Sequence, residues 1–200
     1  VLTDPNYLVP SPPYSPGGVA WLRASVARFS NGATHERRRA LAEAELAAID
    51  PEALRELALR RGTGPVEVLA EALGLPATVA EDIAVIAKSY QPHTTITTAA
   101  DQAVDRLARL LGTADESAAN RIALLVQACD ATTALVTNII AGRTDPPVPK
   151  TRRIAPDGTT VEVDLTDSPF GAGPHACPGR LHALALADGL VQAQRPRPPR

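Results

Sequence analysis

The residues with the strongest chemical signal lie in Phe170-Gly-Ala-Gly-Pro-His-Ala-Cys-Pro-Gly-Arg180, near the end of the chain. This glycine-rich stretch delivers one cysteine, Cys177, to the start of an alanine- and leucine-rich segment of helical periodicity over 181–191. Pro178 suits a first helical position, where its missing N–H costs nothing. A thiol at a helix N-terminus meets unpaired N–H groups and the positive end of the helix dipole, and both favour thiolate over thiol. Gly173 and Gly179 lack side chains, so the backbone can pass close to a flat ligand and still aim N–H groups at sulfur. A thiolate held open on one side is what an iron porphyrin needs as its fifth ligand. A buried structural cysteine needs no such pattern, and a zinc site needs more soft ligands than Cys177 and His175 supply nearby.

Phe-x-x-Gly-x-His-x-Cys-x-Gly resembles the heme-binding signature of the cytochrome P450 family, the heme-thiolate monooxygenases. Phe170, Gly173, His175, Cys177 and Gly179 fall on it, five fixed residue types within ten positions. The resemblance implies a heme b cofactor with Cys177 as the iron ligand.

Two further stretches resemble the same family. His35 and Arg39 are four apart after the turn signal Asn31-Gly32, with Thr34 as the expected N-cap, so they share one helix face. A His and an Arg on one face can grip a carboxylate, Arg with its planar fork. The spacing matches the family's His-x-x-x-Arg pattern, whose members hold a heme propionate. Pro-Val-Pro-Lys-Thr-Arg-Arg-Ile-Ala over 147–155 resembles a strand where an arginine meets a propionate; Arg153 takes that place, with Arg152 as the fallback. The resemblance adds His175 to the propionate set.

The longest periodic run, over 115–141, contains Gln127-Ala-Cys-Asp-Ala-Thr-Thr133. An acid and two threonines are poor core material in a long helix. The run resembles the family's oxygen-activating helix, in which an acid and a threonine open a groove and deliver protons during dioxygen activation. Ala128 lies on the part that would face the cofactor. Cys129 stands where the family has glycine, and Asp130 stands two residues before Thr132 instead of one. Either Ala131 occupies the acid position with Thr132 as relay, or Asp130 is the acid and Ala131 replaces the threonine. In both registers Asp130, Thr132 and Thr133 are the candidate catalytic residues and the relay is altered. Local satisfaction of backbone groups is the plain reading of Asp130 and Thr132, and Cys129 reads as a packed core thiol.

The remaining chain must position these groups. Two hundred residues suffice for one domain with a core. Helices are expected over 21–29, 51–61, 65–73, 77–90 and 99–111, separated by Gly and Pro. Asp157-Gly158 predicts a hairpin, followed by an alternating strand over 159–165. Residues 1–18 are proline-rich and extended, either a surface arm or a loop over the cofactor with Tyr7 or Tyr14 near substrate. His93 reads as a loop histidine, and 194–200 as a disordered basic tail beyond a single heme-binding domain over 1–193.

The net charge of −2 gives no electrostatic case for nucleic acid or a membrane surface. Two cysteines make no disulfide framework, which suits a reducing cytoplasm. No apolar run of membrane-spanning length and no signal peptide is expected. The fold expected is mainly α: a shortened, bacterial-type cytochrome P450-like helical fold with a small two-stranded sheet before the cysteine loop. The family's Glu-x-x-Arg helix is missing, since the only matches, Glu36 to Arg39 and Glu52 to Arg55, lie upstream of the long helix. A partner or second subunit that completes the shortened fold is one consequence considered.

The function the resemblance implies is oxidation of a small organic molecule, with electrons from a ferredoxin-type partner docking near Arg180. Two alternatives stand beside it. One is a heme-thiolate enzyme with peroxide-dependent or redox-neutral lyase or isomerase chemistry, motivated by the altered relay. The other is a non-catalytic heme or scaffold protein, motivated by the missing Glu-x-x-Arg. Substrate identity lies in pocket shape and loops.

Overall fold

The computed structural model describes residues 1–195. Residues 196–200, which hold most of the expected tail, lie outside the described residues. Eight α-helices and one antiparallel hairpin follow in order: α1 (Gly18–Ser25), α2 (Gly32–Ala47), α3 (Pro51–Arg61), α4 (Pro65–Ala72), α5 (Val79–Lys88), α6 (Thr98–Leu111), α7 (Glu116–Ile140), β1 (Lys150–Ile154), β2 (Thr160–Asp164) and α8 (Arg180–Ala193). The mainly helical class and the two-stranded sheet are as the sequence predicts.

Local chemistry explains most boundaries. The Asp50 carboxylate accepts from the N–H groups of Glu52 and Ala53, Pro51 opens α3, and Gly62 closes it at φ +59°. Thr97 and Asp115 cap α6 and α7 through the N–H groups of Ala100 and Ala118. Two expected boundaries differ. The helix over 21–29 divides at Val26, which is extended and leads into a short 3-10 turn at Ala27–Phe29. Asn120 on α7 receives the freed Ala27 N–H, so a tertiary partner makes the break possible. The N-cap of α2 is Asn31, with Thr34 inside the first turn. The Asn31 side chain instead accepts from Val9 N–H at 2.8 Å and donates to Val9 O at 2.8 Å.

The core is aliphatic, built on Leu22, Leu54, Ile83, Ile86, Ile122, Leu125 and Leu186, each at most 2% exposed. Its central member is α7, which packs against α2, α4, α5 and α8. By length and hydropathy α7 matches a membrane span, contrary to the sequence expectation, yet it serves here as a core helix. The tightest helix pair is α3 with α8. Gly189 on α8 lets the two backbones approach: a Cβ there would lie 2.8 Å from Ala58 Cβ and inside contact distance of Arg55 O.

Buried Arg23 ties α1 to the loop after α5. Its guanidinium donates to the carbonyls of Ser89, Tyr90, Gln91 and Thr94 at 2.5–3.1 Å. The hairpin pairs Arg152 with Glu162 and Arg153 with Val161, and Gly158 turns it at φ +84°. Leu8 adds a bridge to Ile154 on the outer edge of β1. The N-terminal segment is therefore anchored to β1 and α2. Tyr14, 83% exposed, points to solvent and away from any enclosed site.

Candidate cofactor site

The cysteine loop hangs between β2 and α8. Cys177 N–H donates to Phe170 O at 2.8 Å, closing the stretch into a compact turn. Gly171 and Gly173 have φ of +71° and +67°, conformations that side chains with Cβ disfavour. The structure shows a reason within the chain for glycine at 173. A Cβ there would come 2.7 Å from Leu2 O and 3.0 Å from Thr3 Cα, so what crowds it is the N-terminal segment. At Gly179 the nearest atoms belong to the Leu46 side chain, at 3.5 Å. Phe170 lies under the Arg180 guanidinium, 5.4 Å from the ring centroid.

Helix α8 begins at Arg180, so Pro178 lies upstream of it and Gly179 is the N-cap. The Gly179 N–H does act to favour the thiolate form of Cys177. The thiol is nevertheless pushed above its ordinary pKa. Loss of surrounding water is the largest cause, and the Gly179 N–H and the charges of Arg39 and Arg28 oppose it without winning. Cys177 is exposed, and this direction describes the loop without a ligand. A metal ion reverses this balance, because a coordinating thiol is deprotonated outright.

Basic side chains gather beside the loop. The rings of His35 and His175 lie 4.0 Å apart, centroid to centroid, and tilted by 39°. Burial holds both imidazoles below their usual pKa, and neighbouring charge adds to it. His175 is pushed down to about 4 by burial, then by His35, Arg153 and Arg39. Arg153, 6% exposed, donates to Thr151 Oγ1 at 3.0 Å and to Arg152 O at 2.9 Å. Arg39 donates to Pro174 O at 2.9 Å and Ala176 O at 2.6 Å, bracing the loop, and pairs with Glu43 at 2.7 Å. Thus α2, β1 and the loop bring His35, Arg39, Arg153, His175 and Cys177 together. Arg152 instead faces Glu162 at the surface.

The sequence reading missed three residues here. Arg28 reaches Gln127 Oε1 on α7 at 3.3 Å, and its charge is felt by both Arg153 and Cys177. Gln127 is the link from α7 to this basic group. His182 Nε2–H lies 3.0 Å from Leu46 O and 2.9 Å from Ile49 O, fixing α8 to the end of α2. Arg28 and His182 lie outside every motif, so only the fold gives them a role. Gln127 borders the Ala128 to Thr133 motif, which offered the one available signal.

The α7 residues are placed differently from one another. Thr132 is buried and Ala128 packs on the core, whereas Asp130 and Thr133 are exposed. Thr133 Oγ1 donates to Cys129 O at 2.5 Å, a back-bond within the helix. Cys129 is half-buried, and burial raises its thiol pKa. Cys129, Asp130, Thr133 and Thr137 line an open groove of about 470 Å³, with Asn138 and Arg143 at its far end. No residue of the N-terminal segment lines it: the groove runs along the second half of α7 to Arg143, just beyond that helix. Between α7 and β1 runs a connection without a helix. Glu52 and Arg55 pair at 2.5 Å on α3, where Arg55 also reaches Gln192 on α8 at 3.5 Å.

No protein-family model matches this chain. No curated protein matches it either. Among solved structures it is similar to P450BioI in complex with acyl carrier protein ligated to hexadec-9Z-enoic acid. That likeness has a TM-score of 0.70 at 15% sequence identity, and it covers 96% of this chain and 81% of that one. With the helices, the hairpin and the cysteine loop in the same order as the sequence predicts, the chain has a cytochrome P450-like fold.

Proposed function

We propose that the chain is a heme-thiolate oxidoreductase that oxidises a small organic molecule. The observation that carries this reading is the gathering of basic groups, two buried or near-buried guanidiniums and two imidazoles, beside one loop cysteine. Arg28, His35, Arg153 and His175 have no carboxylate partner among the described residues, and Arg28 Nε is buried with no hydrogen-bond partner. Such a group calls for an acidic ligand next to a sulfur donor, and a porphyrin with two propionates bound through iron fits both demands.

In this reading Cys177 binds iron, and His35, Arg39, Arg153 and His175 hold the propionates. Heme supplies the redox chemistry, which an axial thiolate favours by donating electron density. The chain's own residues do the rest. Arg39 fixes the loop carbonyls of Pro174 and Ala176, and Gly179 N–H favours the thiolate form of the sulfur. Asp130, Thr132 and Thr133 are the residues available on α7 to hold and move protons. A ferredoxin-type donor is the partner proposed. P450BioI meets an acyl carrier protein, which makes a protein-borne acyl chain one substrate form to include in screening.

A second reading has a specific observation in its favour. Asp130 and Thr133 are exposed, and the Thr133 hydroxyl proton is committed to the helix backbone. Such a relay favours peroxide-dependent or redox-neutral chemistry over dioxygen activation. The deciding experiment is an absorption spectrum of heme-loaded protein, reduced and exposed to carbon monoxide, with Cys177→Ser alongside. A strongly red-shifted Soret band that Cys177→Ser abolishes is expected. A histidine-type spectrum, or no heme uptake, refutes both readings. Turnover with peroxide but not with dioxygen and a reductase selects the second.

A further inference from the structure

We propose that the N-terminal segment over residues 2–11 is a latched strap: Asn31 holds it across the cysteine loop, and unlatching it loosens the turn that presents Cys177. The heme-thiolate reading enters only as the identity of what that loop would bind.

Asn31 is the N-cap of α2, yet its side chain makes no cap bond to that helix. An N-cap asparagine normally accepts from an N–H in the first turn and so stabilises its own helix. Here the whole amide is spent on the strap. Its Oδ1 accepts from Val9 N–H at 2.8 Å, and its Nδ2 donates to Val9 O at 2.8 Å and to Ser11 Oγ at 3.0 Å. One residue earlier, Leu8 exchanges two backbone hydrogen bonds with Ile154, at 3.0 and 2.7 Å, and so adds a short edge to β1. Upstream of Leu8 the hold is different in kind. Among the described residues, no hydrogen bond joins residues 1–7 to any other part of the chain. That stretch folds on itself through Asp4, which accepts from the N–H groups of Asn6 and Tyr7. It meets the cysteine loop by packing: Leu2 O and Thr3 Cα cover the place where a Gly173 side chain would begin.

Gly173 opens the short 3-10 turn Gly173–His175, and its carbonyl accepts from Ala176 N–H at 3.0 Å. Cys177 follows, with its N–H on Phe170 O at 2.8 Å. Arg39, further along α2 than Asn31, donates to Pro174 O at 2.9 Å and to Ala176 O at 2.6 Å. Helix α2 therefore holds the turn in two ways, directly through Arg39 and indirectly through Asn31, Val9 and the strap. The direct hold is a charge-assisted pair of bonds. The indirect hold depends on the Asn31 amide and the Leu8 pairing. A segment tied at its far end and only packed at its tip opens at lower free energy than the helical core. The strap can therefore leave while the helices stay, and the turn before Cys177 then loses one of its two supports.

The test is amide hydrogen exchange by NMR on the full chain without ligand, in the parent, in Asn31→Ser and in Leu8→Pro. Asn31→Ser withdraws the amide from the strap and supplies a good helix cap, so α2 is kept. Leu8→Pro removes an N–H from the edge pairing and leaves α2 untouched. In both variants Val9 N–H should exchange about tenfold faster or more, and Ala176 and Cys177 N–H should accelerate with it. Leu125 on α7 and Leu186 on α8 should keep the parent's rates. Faster exchange at Val9 with unchanged exchange at Ala176 and Cys177 means a strap that the loop does not feel, and overturns the proposal. So does unchanged exchange at all three, acceleration of the loop in one variant only, or equal acceleration at Leu125 and Leu186, which marks a loss of global stability. Should Asn31→Ser fail to fold by circular dichroism, Leu8→Pro decides by the same amides. A histidine-type carbon monoxide spectrum leaves these rates untouched, so failure of the thiolate reading and failure of the strap are told apart.

Discussion

Gly189→Ala opposes two physical effects, and the sign of its stability change decides between them. Gly189 lies in α8, four residues from its end, without a left-handed backbone. Helix propensity alone favours alanine there by about 1 kcal/mol. Packing says the reverse. The new methyl would lie 2.8 Å from Ala58 Cβ and 3.1 Å from Arg55 C, with Arg55 O nearer still. Apolar carbons prefer about 3.5–4.0 Å, so α8 must move from α3 by about 1 Å. Backbone atoms on α3 cannot swing aside as a side chain tip would. Overpacking of this kind costs about 1–3 kcal/mol, and the involvement of a helix backbone puts this case at the upper end. The net expectation is a loss of about 2 kcal/mol after the propensity gain. Urea unfolding followed by circular dichroism measures it, with the slope checked for constancy. Ala58→Gly in the same chain removes the methyl-to-methyl contact but not the clash with Arg55 O, so it should restore only part of the loss. A stable Gly189→Ala variant, or full rescue by Ala58→Gly, would refute close backbone packing of α3 on α8.

Asp115→Ala removes the carboxylate that accepts from Ala118 N–H at 2.9 Å and should cost about 1 kcal/mol at neutral pH. That hydrogen bond holds the Asp115 pKa below its ordinary value. Its contribution is thus present above about pH 4 and disappears as pH falls through the lowered folded-state value, so parent and variant unfolding curves should converge in acid. Arg23→Met leaves the carbonyls of Ser89, Tyr90, Gln91 and Thr94 without their shared donor. With several buried acceptors stranded, a loss of at least about 2–3 kcal/mol in urea unfolding is expected, and a loss below about 0.5 kcal/mol would show that water replaces the guanidinium there.

Helix-forming periodicity, caps and glycine stops are local properties, which is why α3, α6, α7 and the Asp157-Gly158 hairpin were legible in the chain to within a residue or two. The cysteine loop was legible for a similar reason, since a tight turn with positive-φ glycines needs particular residues at particular spacings. What the local pattern did not contain was the company each group keeps. The break at Val26 depends on Asn120, ninety-odd residues away on α7. The crowding of Gly173 comes from Leu2 and Thr3. The pKa of Cys177 follows from how much water the folded chain removes, which outweighs the Gly179 N–H and two arginine charges. Asp130 and Thr133 read as unusual core residues and proved exposed, because helical period fixes relative faces and not which face the rest of the molecule covers. Sequence alone determined most helix boundaries and the turn chemistry of the cysteine loop. Tertiary structure alone decided burial, charge balance and the position of Arg28, since desolvation and Coulomb energy depend on distances between groups that lie far apart along the chain.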